Sequence, residues 1–225
     1  MAGQAVQRPS GRGRFITFEG GEGSGKSTQI QKLAKRLNAA KLRAIVTREP
    51  GGSPGAEIIR HLVLSGMGKL LGPDAETLLF AAARDDHVRT VIQPALAQGI
   101  WVLCDRFFDS TRAYQGRLGQ VSPSLLNAMQ RVTIGDLKPD LTFILDVPVE
   151  IGLKRAAARR GKGAPDRFES EDVKFHRELR EAYRQIAAED PQRCVLIDAG
   201  ADPERVSARI WKALRDHLLA AASTA

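Results

Sequence analysis

The sequence predicts a doubly wound α/β domain with a five-stranded parallel sheet flanked by helices, and three observations support this fold class. Five short apolar runs alternate along the chain with segments of helical periodicity, as in an α/β domain. The runs are apolar at consecutive positions, as in parallel strands covered on both faces. The chain has 225 residues, of which 43% are hydrophobic, enough for one domain with a substantial core.

Each predicted strand is followed within a few residues by a glycine or a charged residue. The strands cover residues 15–18, 44–47, 100–104, 141–145 and 194–197. Their carboxyl ends carry Gly20, Arg48, Asp105 and Asp198. In an open α/β sheet the ligand binds beyond the carboxyl ends of the strands, so we expect the functional site near these residues.

The segments between the strands have the period of helices that pack on a sheet. Apolar residues at positions 30, 33, 34 and 37 predict a helix after the first strand, and similar patterns predict helices at 58–63, 75–98 and 175–187. Asp202 and Pro203 have the residue types of an N-cap and a first turn, which predicts the start of the last helix there. Residues 159–171 have no periodicity, and we expect a mobile lid at about 156–171.

The chain is basic, with 34 lysines and arginines against 26 aspartates and glutamates and a formal net charge of +8. This excess suggests a polyanionic partner. Arg8, Arg12 and Arg14 supply three of these charges within a segment that contains glycine and proline but no acid. We expect residues 1–13 to form a basic flexible tail and residues 14–225 to form a single domain.

The sequence has no apolar run long enough to cross a bilayer, and no apolar segment typical of a secretion signal follows its basic start. Its two cysteines, Cys104 and Cys194, lie in apolar runs, where reduced thiols of a core are expected. These patterns predict a cytoplasmic protein without a membrane partner.

Residues 20–27, Gly-Gly-Glu-Gly-Ser-Gly-Lys-Ser, match the phosphate-loop pattern G-x-x-x-x-G-K-[ST] between a predicted strand and a predicted helix. The glycines let backbone N–H groups converge on phosphate oxygens. We expect Lys26 to reach the β- and γ-phosphates and Ser27 to ligate Mg²⁺. The motif therefore predicts a P-loop NTPase, with these ATP-binding residues: Gly20, Gly21, Glu22, Gly23, Ser24, Gly25, Lys26, Ser27 and Thr28.

The remaining features favour a small-molecule kinase among P-loop proteins. The Asn-Lys-x-Asp motif with which GTPases read guanine does not occur, and a nucleic-acid motor would need a longer chain. Phosphoryl transfer between two polyanions requires several guanidinium groups between donor and acceptor. Arg48 and Arg106, at strand ends, are placed to bind an acceptor phosphate. Asp105 either completes the Mg²⁺ shell or orients the acceptor.

Several further motifs occur in a fixed order that closely resembles the thymidylate (dTMP) kinase family. They are Thr-Arg-Glu-Pro-Gly-Gly at 47–52, Leu-Phe-Ala-Ala-Ala-Arg at 79–84, Asp-Arg-Phe at 105–107, Ser-Thr-Arg-Ala-Tyr-Gln-Gly at 110–116, Pro-Asp-Leu at 139–141 and Leu-Asp-Val at 145–147. The resemblance covers roughly residues 14–219. It implies phosphorylation of dTMP to dTDP by ATP with Mg²⁺ in direct in-line transfer, and a homodimer.

The resemblance also implies roles for individual residues. Phe80 would stack on the thymine ring, Arg84 would donate to its O4 atom, and Gln115 would contact the base. Tyr114 would pack against the deoxyribose and Glu22 would face the 3′-hydroxyl. The full set of substrate-binding residues so implied is Glu22, Arg48, Pro50, Phe80, Arg84, Arg106, Ser110, Tyr114 and Gln115.

The lid carries the remaining arginines of interest. The phosphate loop contains no arginine, whereas the lid region does, which resembles the bacterial subtype of the family with a catalytic lid arginine. That role is assigned to Arg159, with Arg160 and Arg167 as alternatives, and Arg155 would pack on adenine near the loop after Asp198. The sequence leaves two other functions open, another nucleoside monophosphate kinase or a nucleic-acid-binding P-loop ATPase. We expect small nucleotides, not nucleic acid, as partners.

Overall fold

The computed structural model describes residues 11–161 and 167–219, and its centre is an all-parallel sheet of five strands. The strands are β1 (Phe15–Glu19), β2 (Ala44–Arg48), β3 (Trp101–Asp105), β4 (Leu141–Asp146) and β5 (Cys194–Asp198). Their order across the sheet is β2-β3-β1-β4-β5. The predicted doubly wound five-stranded α/β fold is therefore confirmed. The predicted tail lies outside the described residues as far as residue 10, and so do lid residues 162–166.

Helices cover both faces of the sheet in the alternating order that the sequence predicts. They are α1 (Lys26–Ala39), α2 (Pro54–Leu64), α3 (Pro73–His87), α4 (Gln93–Ala97), α5 (Phe108–Thr111), α6 (Pro123–Thr133), α7 (Val149–Arg160), α8 (Val173–Glu189) and α9 (Pro203–Leu214). A 3₁₀ turn (Met67–Leu71) precedes α3, and wider π turns cover Val88–Ile92, Arg112–Leu118 and Arg215–Leu219. The predicted helix at 75–98 is thus α3 and α4 joined through a π turn.

The burial of the strands follows their place in the sheet. β1, β3 and β4 are central and almost wholly buried, as consecutive apolar residues predict. β2 and β5 are edge strands, so Val46 and Leu196 remain 41% and 45% exposed. Cys104 and Cys194 are buried free thiols. Within the described parts of the chain, no helix is long and apolar enough to cross a membrane.

The helix termini agree with one sequence prediction and differ from another. The side chain of Asp202 accepts hydrogen bonds from the N–H groups of Glu204 and Arg205, so it is the N-cap of α9 as predicted. The predicted lid differs from a simple loop at its start, because α7 continues through Arg160. Arg159 and Arg160 therefore lie in the last turn of a helix.

The register of the strands brings the functional segments to one edge of the sheet. Phe18 pairs with Asp105 of β3, and Arg48 of β2 pairs with the same residue from the other side. The ends of three adjacent strands therefore lie side by side. The phosphate loop (residues 20–27), which follows β1, lies at the centre of this edge.

The phosphate loop touches α7 at two glycines. A Cβ atom on Gly23, whose φ is +65°, would overlap the carbonyl oxygen of Gly152. A Cβ atom on Gly152 would lie 2.6 Å from the carbonyl oxygen of Glu22. Only glycine permits this approach of two backbones, so Gly152 fixes the distance between the loop and the helix.

We expect Gly152→Ala to lower the free energy of unfolding by about 1–3 kcal/mol, because the added methyl group must displace the loop or the helix. Urea denaturation measures the change. Lys154→Ala, on an exposed position of α7, is the matched control and should stay within about 0.5 kcal/mol of the wild type. Equal stability of the two variants would contradict a rigid contact between loop and helix.

Candidate active site

The carboxyl edge of the sheet opens onto a cleft of about 380 Å³. Most of the residues singled out in the sequence line it together: Glu22, Gly23, Ser24, Gly25, Lys26, Ser27, Thr28, Arg48, Pro50, Phe80, Arg84, Asp105, Arg106, Ser110, Tyr114, Gln115 and Arg159. Gly20 and Gly21 border a smaller cavity behind the phosphate loop. Arg155 is outside both cavities as far as the described residues show, and its guanidinium donates to the carbonyl of Ala199, in the loop after β5, at 2.9 Å.

Lys26 is folded back onto the phosphate loop. Its ammonium donates to the carbonyl oxygens of Gly20 and Gly21, each at 3.0 Å. Burial, with the nearby charge of Arg106, lowers the pKa of Lys26 to about 8. The side chain is therefore buried beneath the loop, and its pKa lies only slightly above neutral pH.

Ser27 and Asp105 form the part of the cleft that suits a divalent cation. The Ser27 hydroxyl donates to the Asp105 carboxylate at 2.9 Å, which joins the start of α1 to the end of β3. Among the described residues, no group of three or more His, Cys, Asp or Glu side chains could hold a metal by itself. A Mg²⁺ ion here would therefore need oxygen ligands from a bound phosphate as well.

Arg106 occupies a strained position above the phosphate loop. Its φ of +68° lies in the left-handed region, which costs a non-glycine residue about 1–3 kcal/mol. The guanidinium donates to the Glu22 carboxylate at 2.6 Å and to the Gly20 carbonyl at 3.2 Å. It also donates to the hydroxyls of Ser110 and Tyr183 at 3.3 and 3.1 Å. Such strain persists where surrounding contacts fix the backbone, and it is common at functional sites.

Glu22 is held as a carboxylate. Burial opposes its ionisation, but the charges of Arg106, Lys26 and Arg159 outweigh that effect and lower its pKa. The phosphate loop thus presents one anionic side chain to a cleft in which cations are more numerous.

Arg48 leans towards α2. Its guanidinium forms a 2.8 Å ion pair with Glu57, and both side chains are about half exposed. An exposed pair of this kind stabilises a protein by about 0–1 kcal/mol. Arg48 can therefore exchange this partner for a stronger anion at little cost.

The opposite wall of the cleft combines aromatic and polar side chains. Phe80 and Arg84 lie one turn apart on α3 and both line the cleft. Arg84 donates to the Glu49 carboxylate at 2.7 Å and to the Thr111 hydroxyl at 3.0 Å. Tyr114 lies beneath Arg106, with 5.2 Å between the guanidinium carbon and the ring centre, and burial raises the pKa of its phenol.

The three lid arginines differ in what they contact. Arg159 and Arg160 both pair with Glu169, at 3.0 and 2.7 Å, whereas Arg167 contacts Glu76. Of these three arginines, only Arg159 borders the cleft in the described part of the protein, and its side chain is 62% exposed.

Sequence reasoning missed a buried carboxylate next to the phosphate loop. Glu19, the last residue of β1, is fully buried and accepts hydrogen bonds from the Phe107 amide at 2.7 Å and the Ser110 hydroxyl at 2.6 Å. The Tyr183 hydroxyl donates to it at 3.2 Å. The one available signal was an acid that ends an otherwise apolar strand. Burial, and then the charge of Asp109, raise the pKa of Glu19 to about 7.

Further cleft residues were assigned no role from the sequence. They are Glu49, Arg60, Leu64, Phe107, Thr111 and Phe168. Phe168, from the lid, packs its ring edge-on against Tyr114 with 4.9 Å between ring centres. A contact of this type depends on the folding of the lid over the cleft, which local pattern does not reveal.

Comparison with known proteins gives a consistent result. A family model described as thymidylate kinase matches residues 18–210. The thymidylate kinase of Bradyrhizobium diazoefficiens is 79% identical over 219 residues, covering 97% of this chain and 96% of the relative. That of Nitrobacter winogradskyi is 78% identical over 221 residues, covering 98% and 96%. The crystal structure of thymidylate kinase from Ehrlichia chaffeensis has a TM-score of 0.73 at 33% identity, covering 90% of this chain and 99% of that one.

The raised pKa of Glu19 predicts a pH dependence of stability. Between about pH 4.5 and about pH 7 the folded protein keeps a proton on Glu19 that the unfolded chain releases. The free energy of unfolding therefore falls as the pH rises through this window, and this contribution levels off above it.

Glu19→Gln cannot titrate, so it isolates this contribution. Urea denaturation of both proteins at several pH values across the window measures the effect. The free energy of unfolding of the wild type, minus that of Glu19→Gln, should fall as the pH rises. A difference that stays constant with pH would mean that Glu19 ionises at its ordinary pKa.

Proposed function

The chain belongs to the thymidylate kinase family, and we propose that its cleft carries out the ATP-dependent phosphorylation of dTMP to dTDP with the residues assigned below. One observation supports the assignment most strongly. Across a single cleft, a phosphate loop faces a wall that combines Arg84 and Arg106 with the rings of Phe80 and Tyr114. Such a wall can bind both a phosphate and a flat base.

The phosphate loop would bind the triphosphate of ATP. Backbone N–H groups of residues 20–28 would surround the β-phosphate, and Lys26 would turn from the loop carbonyls to the phosphate oxygens. Arg155, close to the loop after β5, would pack against adenine. The low pKa of Lys26 would rise again next to the phosphates, because a neighbouring anion favours the charged form.

Mg²⁺ would be held by Ser27, Asp105 and the phosphate oxygens. The two side-chain oxygens lie 2.9 Å apart, close to the spacing of neighbouring ligands in an octahedron with bonds of about 2.1 Å. When bound, the ion neutralises charge on the phosphates. Asp105 also keeps the Ser27 hydroxyl oriented.

Arg106 and Arg48 would bind the acceptor phosphate. Arg106 is already fixed over the loop by Glu22, and Arg48 can exchange Glu57 for the phosphate. Two guanidinium groups between the phosphates reduce the repulsion that opposes in-line attack. Glu22 would accept a hydrogen bond from the 3′-hydroxyl of the sugar, and Ser110 and Tyr114 would lie beside it.

The base would lie between α3 and the turns that follow α5. Phe80 and Pro50 provide apolar faces, and stacking on an aromatic ring is worth about 1–3 kcal/mol per base. Arg84 and Gln115 would bind its polar edge. A guanidinium donates to the O4 of thymine or uracil, but it faces the amino donor of cytosine with another donor, so cytidylate should be a far weaker substrate.

The proposal also includes a homodimer and the cytoplasmic location expected from the sequence. Exposed apolar side chains cluster on α2, α3, α6 and the turn before α3, and α3 packs on both α2 and α6. They include Ile58, Leu70, Leu71, Leu78 and Val132, which are 52–87% exposed. Several exposed apolar side chains on neighbouring helices are typical of a subunit interface.

A panel of acceptors tests the activity. ADP release from ATP and Mg²⁺ should be fast with dTMP and need no DNA or RNA. dUMP should be a poorer but measurable substrate, with kcat/KM lower by about 10- to 200-fold, because it lacks one methyl group. UMP, CMP, AMP and GMP should be far weaker.

The panel also separates the alternatives. A preference for another monophosphate would assign a different nucleoside monophosphate kinase. ATP hydrolysis that responds to nucleic acid but not to dTMP would overturn the kinase proposal. Absence of any dUMP turnover at millimolar concentration would contradict the base pocket described above.

A lid substitution tests the catalytic role of Arg159. Arg159→Ala should lower kcat by about 10³-fold, the scale of an arginine that stabilises the transferred phosphoryl group, with little change in dTMP affinity. Steady-state kinetics and calorimetric titration with dTMP measure the two effects. Arg160→Ala is the matched control, since Arg160 pairs with the same Glu169. A near-normal kcat for Arg159→Ala would move the role to Arg160 or Arg167.

A further inference from the structure

We propose that Glu49 is a positioning residue that fixes the orientation of Arg84 and thereby sets the discrimination between thymine and cytosine. The inference rests on the proposed function, in which Arg84 binds the base. Glu49 itself would act through Arg84, and it was assigned no role from the sequence.

Glu49 is anchored at its backbone and at both carboxylate oxygens. Its amide donates to the carbonyl of Asp105 at 2.9 Å, directly after the end of β2. One carboxylate oxygen accepts the Arg84 Nε–H at 2.7 Å, and the other accepts Nδ1–H of His87 at 3.1 Å. The second ring nitrogen of His87 bonds to the Thr47 hydroxyl at 2.6 Å. The carboxylate therefore connects the end of β2 to two residues of α3.

These contacts leave one edge of the Arg84 guanidinium for a ligand. Nε is bound by Glu49, and Nη2 is bound by Thr111 at 3.0 Å. Within the described residues, Nη1 has no protein acceptor, although Arg84 lines the cleft. The guanidinium carbon lies above the Phe107 ring, 5.3 Å from its centre. Because Glu49, Thr111 and Phe107 hold the guanidinium, Arg84 can present only its remaining N–H groups to a base.

The Glu49–Arg84 pair is buried, with side chains only 4% and 7% exposed. Removing one partner of a buried pair leaves the other charge without compensation, and it then seeks a new partner or water. A neutral residue at position 49 would therefore release Arg84 from its fixed orientation. The ion pair is thus a constraint on geometry as well as on charge.

Discrimination between the two pyrimidines depends on that constraint. Thymine presents an oxygen acceptor at the position where cytosine presents an amino donor. A fixed donor rejects cytosine because two donors face each other and neither is satisfied. An arginine that can rotate avoids this conflict, so the preference for thymine over cytosine falls.

Kinetics with dTMP and dCMP test the inference. We expect Glu49→Gln to lower the ratio of kcat/KM for dTMP over dCMP by at least about 10-fold. The change should come through KM, which rises for dTMP because its oriented donor is lost and falls for dCMP because the donor no longer opposes its amino group, and not through kcat. Glu49→Asp keeps the charge and should restore part of the ratio. Glu19→Gln, another buried carboxylate at a strand end, is the matched control: it should affect both acceptors equally and leave the ratio unchanged.

A double-mutant cycle distinguishes positioning from a general structural role. In an Arg84→Ala background, Glu49→Gln should leave the dTMP/dCMP ratio unchanged, because the residue through which it acts is absent. Thermal unfolding identifies variants that fail to fold. In that case His87→Gln replaces Glu49→Gln, and it should lower the ratio in the same direction.

The outcomes separate this inference from the proposed function. If the wild type does not phosphorylate dTMP, the proposed function fails. If the wild type prefers dTMP over dCMP and the folded Glu49 or His87 variant keeps the full ratio, the positioning role of Glu49 alone is overturned. An equal effect of Glu49→Gln with and without Arg84 would overturn it as well.

Discussion

The position of Arg106 over the phosphate loop depends on one buried carboxylate at the end of the central strand. Glu19 accepts the Phe107 amide, while the carbonyl of Phe18 accepts the Arg106 amide. The two amides that flank the Arg106 side chain are thus both fixed to β1, which stabilises its left-handed backbone. Tyr183 connects the same carboxylate to α8. The guanidinium that would receive the acceptor phosphate is therefore positioned by the strand that leads into the phosphate loop.

Ion pairs with carboxylates determine which arginines of the cleft are fixed in place and which can turn to a phosphate. Four arginines of the cleft each have a carboxylate partner: Arg48 with Glu57, Arg84 with Glu49, Arg106 with Glu22 and Arg159 with Glu169. The pairs differ in burial. The buried Arg84–Glu49 pair and the largely buried Arg106–Glu22 pair fix geometry, whereas the exposed Arg48–Glu57 pair can be exchanged for phosphate at little cost. The net charge of +8 therefore does not correspond to an open basic surface in this cleft, and small anions must compete with protein carboxylates.

Local signals account for what the sequence could predict. The fold follows from apolar runs and helical periods, and the phosphate loop follows from glycines between β1 and α1, all of which depend on neighbouring residues. Glu19 and Tyr183 are 164 positions apart, and nothing local indicates that they meet. The Glu49–Arg84 pair is similar, since it requires β2 and α3 to be already packed. The choice among lid arginines depends on where α7 ends, and a helix that continues to Arg160 was not evident from aperiodic residues.

The contact between Gly23 and Gly152 is a pivot about which α7 can tilt relative to the phosphate loop. Arg159 lies seven residues beyond Gly152 on the same helix, a distance of about 10 Å at 1.5 Å per residue. A tilt of α7 by about 5° around this pivot would move the start of the Arg159 side chain by about 1 Å, a displacement that can change a rate by about 100-fold. Any ligand that shifts the loop backbone slightly would therefore produce a larger movement at the far end of the helix. The phosphate loop and the helix that carries Arg159 are in this way connected through two residues without side chains.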